Sequence, residues 1–310
     1  YSIKWEPLLF TKGLGFLGKF FDLSRMYIRA FIINWKYNIK VVHTRSHPPA
    51  QVGLFVKRIT KAKFIFDFRG LWVDERVDKG GWDLNRLFDR LQYKYYKRVE
   101  RTLLIQSDHV VVLTNKVVDE VMKLGAIEKS RITVIPCCAD YNHFPLSTDA
   151  HKIDARISLG IPTDAFVLGY LGSIGRMYLL DRFLHLFKLA VNTRKNCHAL
   201  LITRDTSAFK QLMKSHLTPE LSSRVHVKSA SRDEVPVFLP AIDVMVSFIL
   251  STYARTGASP TKMAECFASG IPVIANPGVG DVKQVIDRLD GGWIVDPFSD
   301  TDLMEVVQNL

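Results

Sequence analysis

Residues 259–281 read Ser-Pro-Thr-Lys-Met-Ala-Glu-Cys-Phe-Ala-Ser-Gly-Ile-Pro-Val-Ile-Ala-Asn-Pro-Gly-Val-Gly-Asp, and this stretch decides the fold of the second half of the chain. Ser259 suits the N-cap of a helix, and Pro260 suits its first position. The free backbone N–H groups beside Thr261 and Lys262 then face an anion, which the helix dipole also favours. The segment therefore predicts a short helix whose first turn, hydroxyl and ammonium bind a pyrophosphate.

The same helix is expected to carry a carboxylate beside the anion. Glu265 follows Lys262 by three residues, so both side chains leave one face of the helix. The ammonium suits a phosphate and the carboxylate suits a ribose diol. Gly270 is expected to end the helix, and residues 271–275 to form the next buried strand. The alternative is an ordinary capped helix on which Lys262 is solvated and Glu265 pairs with a nearby base.

Short apolar runs alternate with helical patterns along the whole chain, which predicts parallel sheets with helices on both faces. The predicted strands are residues 40–44, 64–68, 109–113 and 132–135, then 166–171, 199–203, 224–227, 243–248, 271–275 and 293–295. The predicted helices are residues 49–59, 84–105 and 116–124, then 179–192, 207–216, 232–239 and 260–269. A polar stretch interrupted by prolines, from Cys137 to about Asp164, separates the two series. We therefore expect two Rossmann-like domains, 1–145 and 146–310.

Residues 259–281 resemble the donor-site motif of the retaining family 4 glycosyltransferases of the GT-B fold, the glycosyl transferases group 1. The resemblance covers about residues 38–298. It implies an α/β fold of two doubly wound domains that face a cleft, with the acceptor on the first domain and a nucleotide sugar on the second. It also implies that Glu265 holds the ribose. The family often has a second glutamate eight positions earlier, where this chain has Gly257, so the contact to the sugar hydroxyls stays open.

A second candidate phosphate element is the run Tyr-Leu-Gly-Ser-Ile-Gly-Arg at residues 170–176. A strand, a glycine-rich turn and a helix expose backbone N–H groups to an oxyanion. The donor-binding residues that the resemblance implies are Gly172, Ser173, Gly175 and Arg176, together with Ser259, Thr261, Lys262 and Glu265. No lysine follows Arg176 as it usually does in the family, so Lys262 is expected to supply the second charge. The alternative is a turn that needs glycine for its backbone angles alone.

In the first half, polar residues follow two predicted strands, at the end where open α/β sheets bind ligands. The family has a catalytic histidine after the first of these strands, near the sugar and the α-phosphate. Arg45 occupies that place by distance and His47 by residue type, and either would stabilise the leaving phosphate. After the next strand, Asp67 and Arg69 resemble an Asp-x-Arg-Gly-x-Trp variant that lines the acceptor cleft. Alternatively, these two side chains simply pair with each other.

The segment before the first strand mixes apolar and basic residues. Its Gly13-Leu-Gly-Phe-Leu-Gly18 run spells G-x-G-x-x-G, but no strand precedes it, so we expect a turn or an amphipathic loop. A GT-B domain normally opens with a strand and a glycine-rich loop. Because the chain starts at Tyr1 without an initiator methionine, that opening is expected to be missing from the numbered sequence and the first domain to be incomplete.

Positive charge is concentrated in the first half of the chain. Residues 1–150 contain 25 Lys and Arg against 15 Asp and Glu, whereas residues 151–310 contain 17 against 16. This imbalance predicts an anionic partner for the first half, either a membrane surface or a phosphorylated acceptor. A solvated basic surface without a partner is the alternative. No zinc-finger, RNA-recognition or basic-zipper pattern is visible, so nucleic acid is not expected.

The lengths of the apolar runs, the cysteine spacing and the one D-x-D pattern bear on localisation and metal use. No apolar run is long enough to span a membrane, and the four cysteines form no C-x-x-C pair, so a cytoplasmic protein is expected, with peripheral contact at the inner membrane face. The only D-x-D, Asp300-Thr-Asp302, is expected to cap the last helix rather than bind a metal. We therefore expect a hexosyl- or related glycosyltransferase without metal or cofactor, which acts on a glycan, lipid-linked or small-molecule acceptor in glycoconjugate or cell-surface polysaccharide biosynthesis. A GT-B sugar-nucleotide epimerase and a non-catalytic nucleotide-sugar-binding module are the alternatives.

Overall fold

The structure, a computed structural model, describes residues 3–11 and 13–310, without the side chain of Phe16. Residues 1, 2 and 12 of the predicted first domain lie outside the described part. The chain divides into two compact units, Tyr1–Ile135 and Pro136–Leu310. This boundary lies ten residues before the predicted one, because Phe144 is only 1% exposed and packs in the core of the second unit. The units are described separately below.

The first unit contains a parallel sheet of four strands in the order β1-β2-β3-β4. The strands are β1 (Val41–Arg45), β2 (Lys63–Asp67), β3 (His109–Val112) and β4 (Ile132–Val134). Each predicted strand is present, within one residue at either end, because a buried parallel strand is a continuous apolar run that the sequence shows directly.

The helices of the first unit are α1 (Gly15–Tyr37), α2 (His47–Ile59), α3 (Trp72–Asp78), α4 (Leu87–Gln106) and α5 (Val118–Gly125). The prediction of a turn or loop at residues 13–18 is wrong from Gly15 onward, since α1 begins there. No glycine or proline occurs between residues 19 and 37, so nothing interrupts the helix once it has begun. Helix α1 packs on α2, where the rings of Tyr27 and Phe55 meet edge to face at 5.2 Å.

The second unit contains a six-stranded parallel sheet in the order β10-β9-β8-β5-β6-β7. Its strands are β5 (Phe166–Leu171), β6 (Cys197–Ile202), β7 (Val225–Lys228), β8 (Val244–Ser247), β9 (Val273–Ala275) and β10 (Gly292–Ile294). From β5 the chain runs outward to β6 and β7, then returns to the other side of β5 with β8. The pair β5 and β8 is therefore the topological switch point, where sheets of this kind bind ligands at the carboxyl ends of the strands.

Helices cover both faces of this sheet. They are α6 (Asp149–Leu159), α7 (Leu180–Thr193), α8 (Thr206–His216), α9 (Pro219–Ser222), α10 (Val235–Phe238), α11 (Thr261–Ala268), α12 (Val282–Leu289) and α13 (Asp300–Asn309). Alternate residues of the strands enter two separate apolar clusters: Val167 and Leu200 lie in one, Leu168 and Leu201 in the other. The predicted D-x-D lies in the first turn of the last helix, but the N-cap is Ser299, whose side chain accepts a hydrogen bond from the Asp302 backbone N–H and donates one to Asp302 Oδ1.

None of the helices formed by the described residues is both long enough and apolar enough to cross a membrane.

Candidate functional site

A cavity of about 260 Å³ opens at the switch point of the second unit. Its walls are the carboxyl ends of β5 and β8 and the first turn of α11. The residues that these three elements contribute to the wall include Tyr170, Leu171, Ser247, Phe248, Pro260, Thr261, Lys262 and Met263. The fold thus places the helix predicted to bind a pyrophosphate at the position where such a sheet binds ligands.

The start of α11 differs from the prediction in one residue. Pro260 is the N-cap and the helix begins at Thr261, so the prediction of Ser259 as N-cap is wrong. The Ser259 hydroxyl accepts a hydrogen bond from the backbone N–H of Cys137 at 3.1 Å, and no side chain caps α11. The proline has no N–H of its own, so the positive end of the helix dipole is presented to the cavity by Thr261 and Lys262.

Lys262 joins α11 to the glycine-rich turn after β5. Its ammonium lies 4.6 Å from the centre of the Tyr178 ring and 5.7 Å from that of Tyr170, within the range of cation–π attraction. A methyl group placed on Gly172 would collide with Lys262 Nζ, so the glycine allows the lysine to lie against the turn. Burial lowers the pKa of Lys262, and the Tyr178 and Glu265 side chains oppose that shift.

Glu265 is half-buried one turn further along α11. Burial raises the pKa of its carboxyl group, while the charges of Arg232, Lys262 and His143 lower it. His143 Nε2 lies 3.3 Å from the backbone carbonyl of Arg232, which brings these two basic side chains to the same side of the site. Sequence reasoning assigned neither residue a role, because only the fold brings His143 and Arg232 close to Glu265.

Hydrogen bonds from neighbouring strand ends and loops fix the turn at residues 172–176. Gly172 adopts φ +148°, which favours glycine, and donates its N–H to the Ile202 carbonyl at 2.9 Å. The Tyr170 hydroxyl donates to the Ser173 carbonyl at 2.7 Å, and the Ile174 N–H donates to Asp205 Oδ2 at 2.8 Å. Asp205 was not predicted as a site residue, although it stands in the short loop between β6 and α8, at the strand end where such residues are expected.

Three predicted donor residues lie on the open side of this turn. Ser173, Gly175 and Arg176 are exposed, and Arg176 is not part of the cavity wall. Of the predicted donor residues, Ser259, Thr261 and Lys262 line the cavity. Gly172 and Glu265 lie beside Lys262 but outside the cavity wall, and Arg176 lies at the solvent side of the Gly172 turn. The buried Asn276 side chain holds the loop after β8, which contributes Ile249 to the cavity wall, because its amide bonds both backbone groups of Ile249, at 2.8 and 2.9 Å.

The catalytic candidate Arg45 and the predicted acceptor-side residues Asp67 and Arg69 lie at the ends of two adjacent strands in the first unit. Arg45 and Asp67 are register partners on β1 and β2, and Arg45 is exposed. Ser46 and Arg69 follow these strands with φ of +69° and +57°, a strain that functional sites often store. Burial raises the pKa of Asp67, and the charges of Arg69, His43 and Arg45 act against it.

His47 does not lie at the open ends of β1 and β2. It is fully buried, its Nε2 lies 2.9 Å from Glu100 Oε2, and its ring stacks on Trp72 at 5.2 Å. Lys97 extends this pair by bonding Glu100 Oε1 at 2.5 Å and Asp74 Oδ2 at 3.0 Å. The structure thus places His47 inside the first unit and leaves Arg45 at the open strand end.

Two family models match the chain. The Glycosyl transferase 4-like domain matches residues 5–138, and the Glycosyl transferases group 1 domain matches residues 151–310. The chain belongs to the group 1 glycosyltransferases. No curated protein matches this glycosyltransferase.

Solved structures share the fold of this glycosyltransferase. Anabaena HepE in complex with UDP and glucose is 15% identical with a TM-score of 0.69, over 96% of this chain and 74% of that one. A glycosyltransferase from Rickettsia africae is 17% identical with a TM-score of 0.68, over 99% and 73%. Sucrose-phosphate synthase from Thermosynechococcus elongatus is 19% identical with a TM-score of 0.67, over 94% and 69%. The expected GT-B fold of two Rossmann-like domains is confirmed.

Across residues 3–11 and 13–310, no three His, Cys, Asp or Glu side chains cluster closely enough to hold a metal ion.

Proposed function

We propose that this glycosyltransferase moves a hexosyl or related group from a nucleoside-diphosphate sugar to a glycan, lipid-linked or small-molecule acceptor, with retention of the anomeric configuration. The observation that carries the proposal is the position of Lys262, which reaches from α11 to the Gly172 turn beside Glu265 at the switch point of the second unit. The complex of HepE with UDP and glucose supports a nucleotide sugar as the donor. The likeness to WaaG, a glycosyltransferase involved in lipopolysaccharide biosynthesis, supports a role in making a glycoconjugate or surface polysaccharide.

The donor's ribose and diphosphate have separate partners. Glu265 would accept hydrogen bonds from the ribose hydroxyls, and the nearby Arg232 and His143 favour its ionised form. The diphosphate would meet the Lys262 ammonium and the first N–H groups of α11, which lie at the same wall of the cavity. Since the lysine is already held against two aromatic rings, little reorganisation is needed when the anion arrives.

Catalysis would rest on stabilising the departing diphosphate. When the glycosidic bond to the β-phosphate breaks, negative charge grows on the phosphate oxygens, and Lys262 and the α11 dipole face that charge. Arg176 is exposed on the glycine-rich turn at residues 172–176, and its guanidinium would add a second positive charge when the donor is bound. Fixed cations of this kind supply the charge that a divalent metal supplies in other transferases, so we expect the reaction to need no added metal.

The acceptor would bind at the strand ends of the first unit. Asp67 and Arg69 offer an acceptor and a donor of hydrogen bonds for sugar hydroxyls, and Arg45 offers a fixed positive charge beside them. The excess of Lys and Arg in residues 1–150 favours an anionic acceptor or an acceptor held at an anionic surface, in keeping with a protein that contacts the inner face of the membrane peripherally.

The test is incubation with a panel of nucleotide sugars, with and without acceptor extracts, while the released nucleoside diphosphate and the sugar configuration are followed by NMR. We expect transfer only when an acceptor is present, and loss of transfer in Glu265→Ala. Glu305→Ala is the matched control, because that carboxylate is exposed on α13. Epimerised donor without acceptor would contradict the proposal and favour the epimerase.

A further inference from the structure

Asp205 is the N-cap of helix α8, but its carboxylate serves another part of the chain. An aspartate at this position ordinarily accepts a hydrogen bond from the second or third N–H of its own helix. In the part of the chain that the structure describes, no side chain caps α8. The carboxylate instead accepts the backbone N–H of Ile174, 31 residues earlier in the chain, at 2.8 Å. Asp205 therefore stabilises the turn at residues 172–176 at the expense of its own helix.

The main chain around Asp205 is fixed by buried neighbours. Its N–H donates to the Thr203 hydroxyl at 3.1 Å, and its carbonyl accepts the N–H of Phe209 at 3.1 Å. Thr203 and Phe209 are buried, and the Thr203 N–H donates to the Lys228 carbonyl at the end of β7 at 2.9 Å. The carboxylate thus extends to Ile174 from a position held by two neighbouring strands and a helix. Side chains supported in this way place their partners within narrow limits.

The same turn receives a second side-chain hydrogen bond close to Asp205. The Tyr170 hydroxyl donates to the Ser173 carbonyl at 2.7 Å, one residue before Ile174. Burial raises the pKa of Tyr170, and the charges of Tyr178 and Asp205 raise it further. The phenol therefore stays protonated and remains a donor, and the Asp205 carboxylate lies near enough to influence it. Two consecutive residues of the turn are thus held by side chains of the strand and loop beside it.

Asp205 acts on the turn without belonging to the wall of the donor cavity. That wall includes Tyr170, Lys262 and the first turn of α11, whereas Asp205 is not one of its residues. A carboxylate in contact with a diphosphate would repel it. The bond to Ile174 directs this carboxylate to the turn, and a hydrogen bond to a charged acceptor is stronger than one between neutral groups. Asp205 is therefore suited to hold the turn and unsuited to bind the donor itself.

We propose that Asp205 is a positioning residue for the donor diphosphate. By holding Ile174, it would keep Gly172 against the Lys262 ammonium, and would keep Arg176 and the backbone N–H groups of the turn on the side where the diphosphate binds. A turn without this bond would have to be ordered when the donor arrives, which costs affinity. The inference rests on the proposed function, in that it names the residue that shapes the diphosphate site. It does not depend on which sugar or acceptor is used.

Calorimetry with UDP and UMP on the full chain tests this. Asp205→Ala removes the hydrogen bond to Ile174, so we expect about tenfold or more weaker UDP binding. UMP lacks the β-phosphate but keeps the ribose, which Glu265 would bind, so its affinity should change by less than about threefold. Asp205→Asn keeps an oxygen that accepts the Ile174 N–H, and should bind UDP within about threefold of the native affinity.

Asp108→Ala is the matched control. The Asp108 carboxylate also accepts a distant backbone N–H at 2.8 Å, that of Phe64, but in the first unit. This variant should lose stability in thermal denaturation and bind UDP as the native chain does. Asp205→Glu keeps the charge but displaces the carboxylate by one methylene group, so it should weaken UDP binding more than Asp205→Asn does. The comparison separates position from charge, and it does not require a stable alanine variant.

Each outcome has a defined consequence. Native-level UDP binding by Asp205→Ala, or equal losses of UDP and UMP affinity, overturns the inference, because the turn would then have no particular connection with the diphosphate. Asp205→Glu that binds UDP better than Asp205→Asn overturns it too, since charge and not position would be required. Absence of UDP binding by the native chain would contradict the proposed function and this inference with it, whereas native UDP binding that Asp205→Ala leaves unchanged contradicts this inference alone.

Discussion

The ammonium of Lys262 lies 4.6 Å from the ring centre of Tyr178, so a helix and the segment that follows the glycine-rich turn, far apart in the sequence, meet at a cation–π contact. Tyr178 is itself fixed, because its N–H donates to the Gly175 carbonyl and it forms a bridge to Ile249 beside the end of β8. The contact therefore couples the two elements that would hold the donor diphosphate.

Gly172→Ala should disturb this contact directly. The new methyl group would collide with Lys262 Nζ, and the φ of +148° strains any residue other than glycine. We expect a loss of about 1–3 kcal/mol in the free energy of unfolding, and weaker UDP binding. Gly160→Ala is the control, because Gly160 also has a positive φ, +66°, but has open space around its Cβ position. Thermal denaturation and calorimetry should show lower stability in both variants and weaker UDP binding only in Gly172→Ala.

Glu265→Ala should weaken nucleotide binding. The substitution removes hydrogen bonds from a carboxylate to the ribose, each worth about 1.5–3 kcal/mol. Calorimetry with UDP measures the change directly, and Glu305→Ala provides the reference for loss of a carboxylate at an exposed site. Equal affinity of the Glu265 variant and the native chain would show that the ribose is bound elsewhere.

Nucleotide binding should weaken at alkaline pH. Burial lowers the pKa of Lys262 below its ordinary value of 10.5, and only the protonated side chain attracts a diphosphate. A bound diphosphate would raise that pKa again, so affinity is full below the lowered pKa and falls as pH rises through it, and binding takes up protons in this range. Calorimetry in two buffers of different ionisation enthalpy measures the uptake. In Lys262→Arg, which keeps its charge at every pH, the uptake should vanish; uptake that persists would assign the titration to another group.

Transfer should survive an excess of chelator. Lys262, the α11 dipole and Arg176 offer the positive charge that the leaving diphosphate needs. The assay compares glycosyl transfer before and after chelation, followed by addition of Mg²⁺ or Mn²⁺. Activity that disappears and is restored by either metal would show that the leaving group is stabilised by a metal instead.

Substitution of His47 should lower the stability of the protein, whereas substitution of Arg45 should lower its activity. His47→Ala breaks a buried pair with Glu100 and leaves a space beside Trp72, so we expect a loss of about 3 kcal/mol in the free energy of unfolding. Arg45→Gln changes an exposed side chain, so stability should stay within about 0.5 kcal/mol of the native value while kcat falls. Denaturant titration and steady-state kinetics on both variants decide this, and a His47 variant that is stable but inactive would assign a catalytic role to the histidine.

Local pattern determined most of the secondary structure of this protein. Strand β5 spans the predicted residues, and the strands of the first unit lie within one residue of their predictions, since a buried parallel strand is a short apolar run bounded by turn residues. Helix α11 and the glycine-rich turn after β5 also follow from local pattern, because the positive φ of Gly172 and of Gly270, just after the helix, depends on residues close together in the chain.

Tertiary structure alone decided how these elements combine. The order β10-β9-β8-β5-β6-β7 creates the switch point, and packing brings Lys262 against Gly172. Ser259 lost its capping role because the backbone N–H of Cys137, distant in sequence, competes for its hydroxyl. His47 and Arg45 stand two residues apart, yet one is buried and the other exposed, because a strained residue between them turns the chain from β1 into α2. Sequence periodicity shows which face of an element is apolar, but what that face meets depends on contacts between residues far apart in the chain.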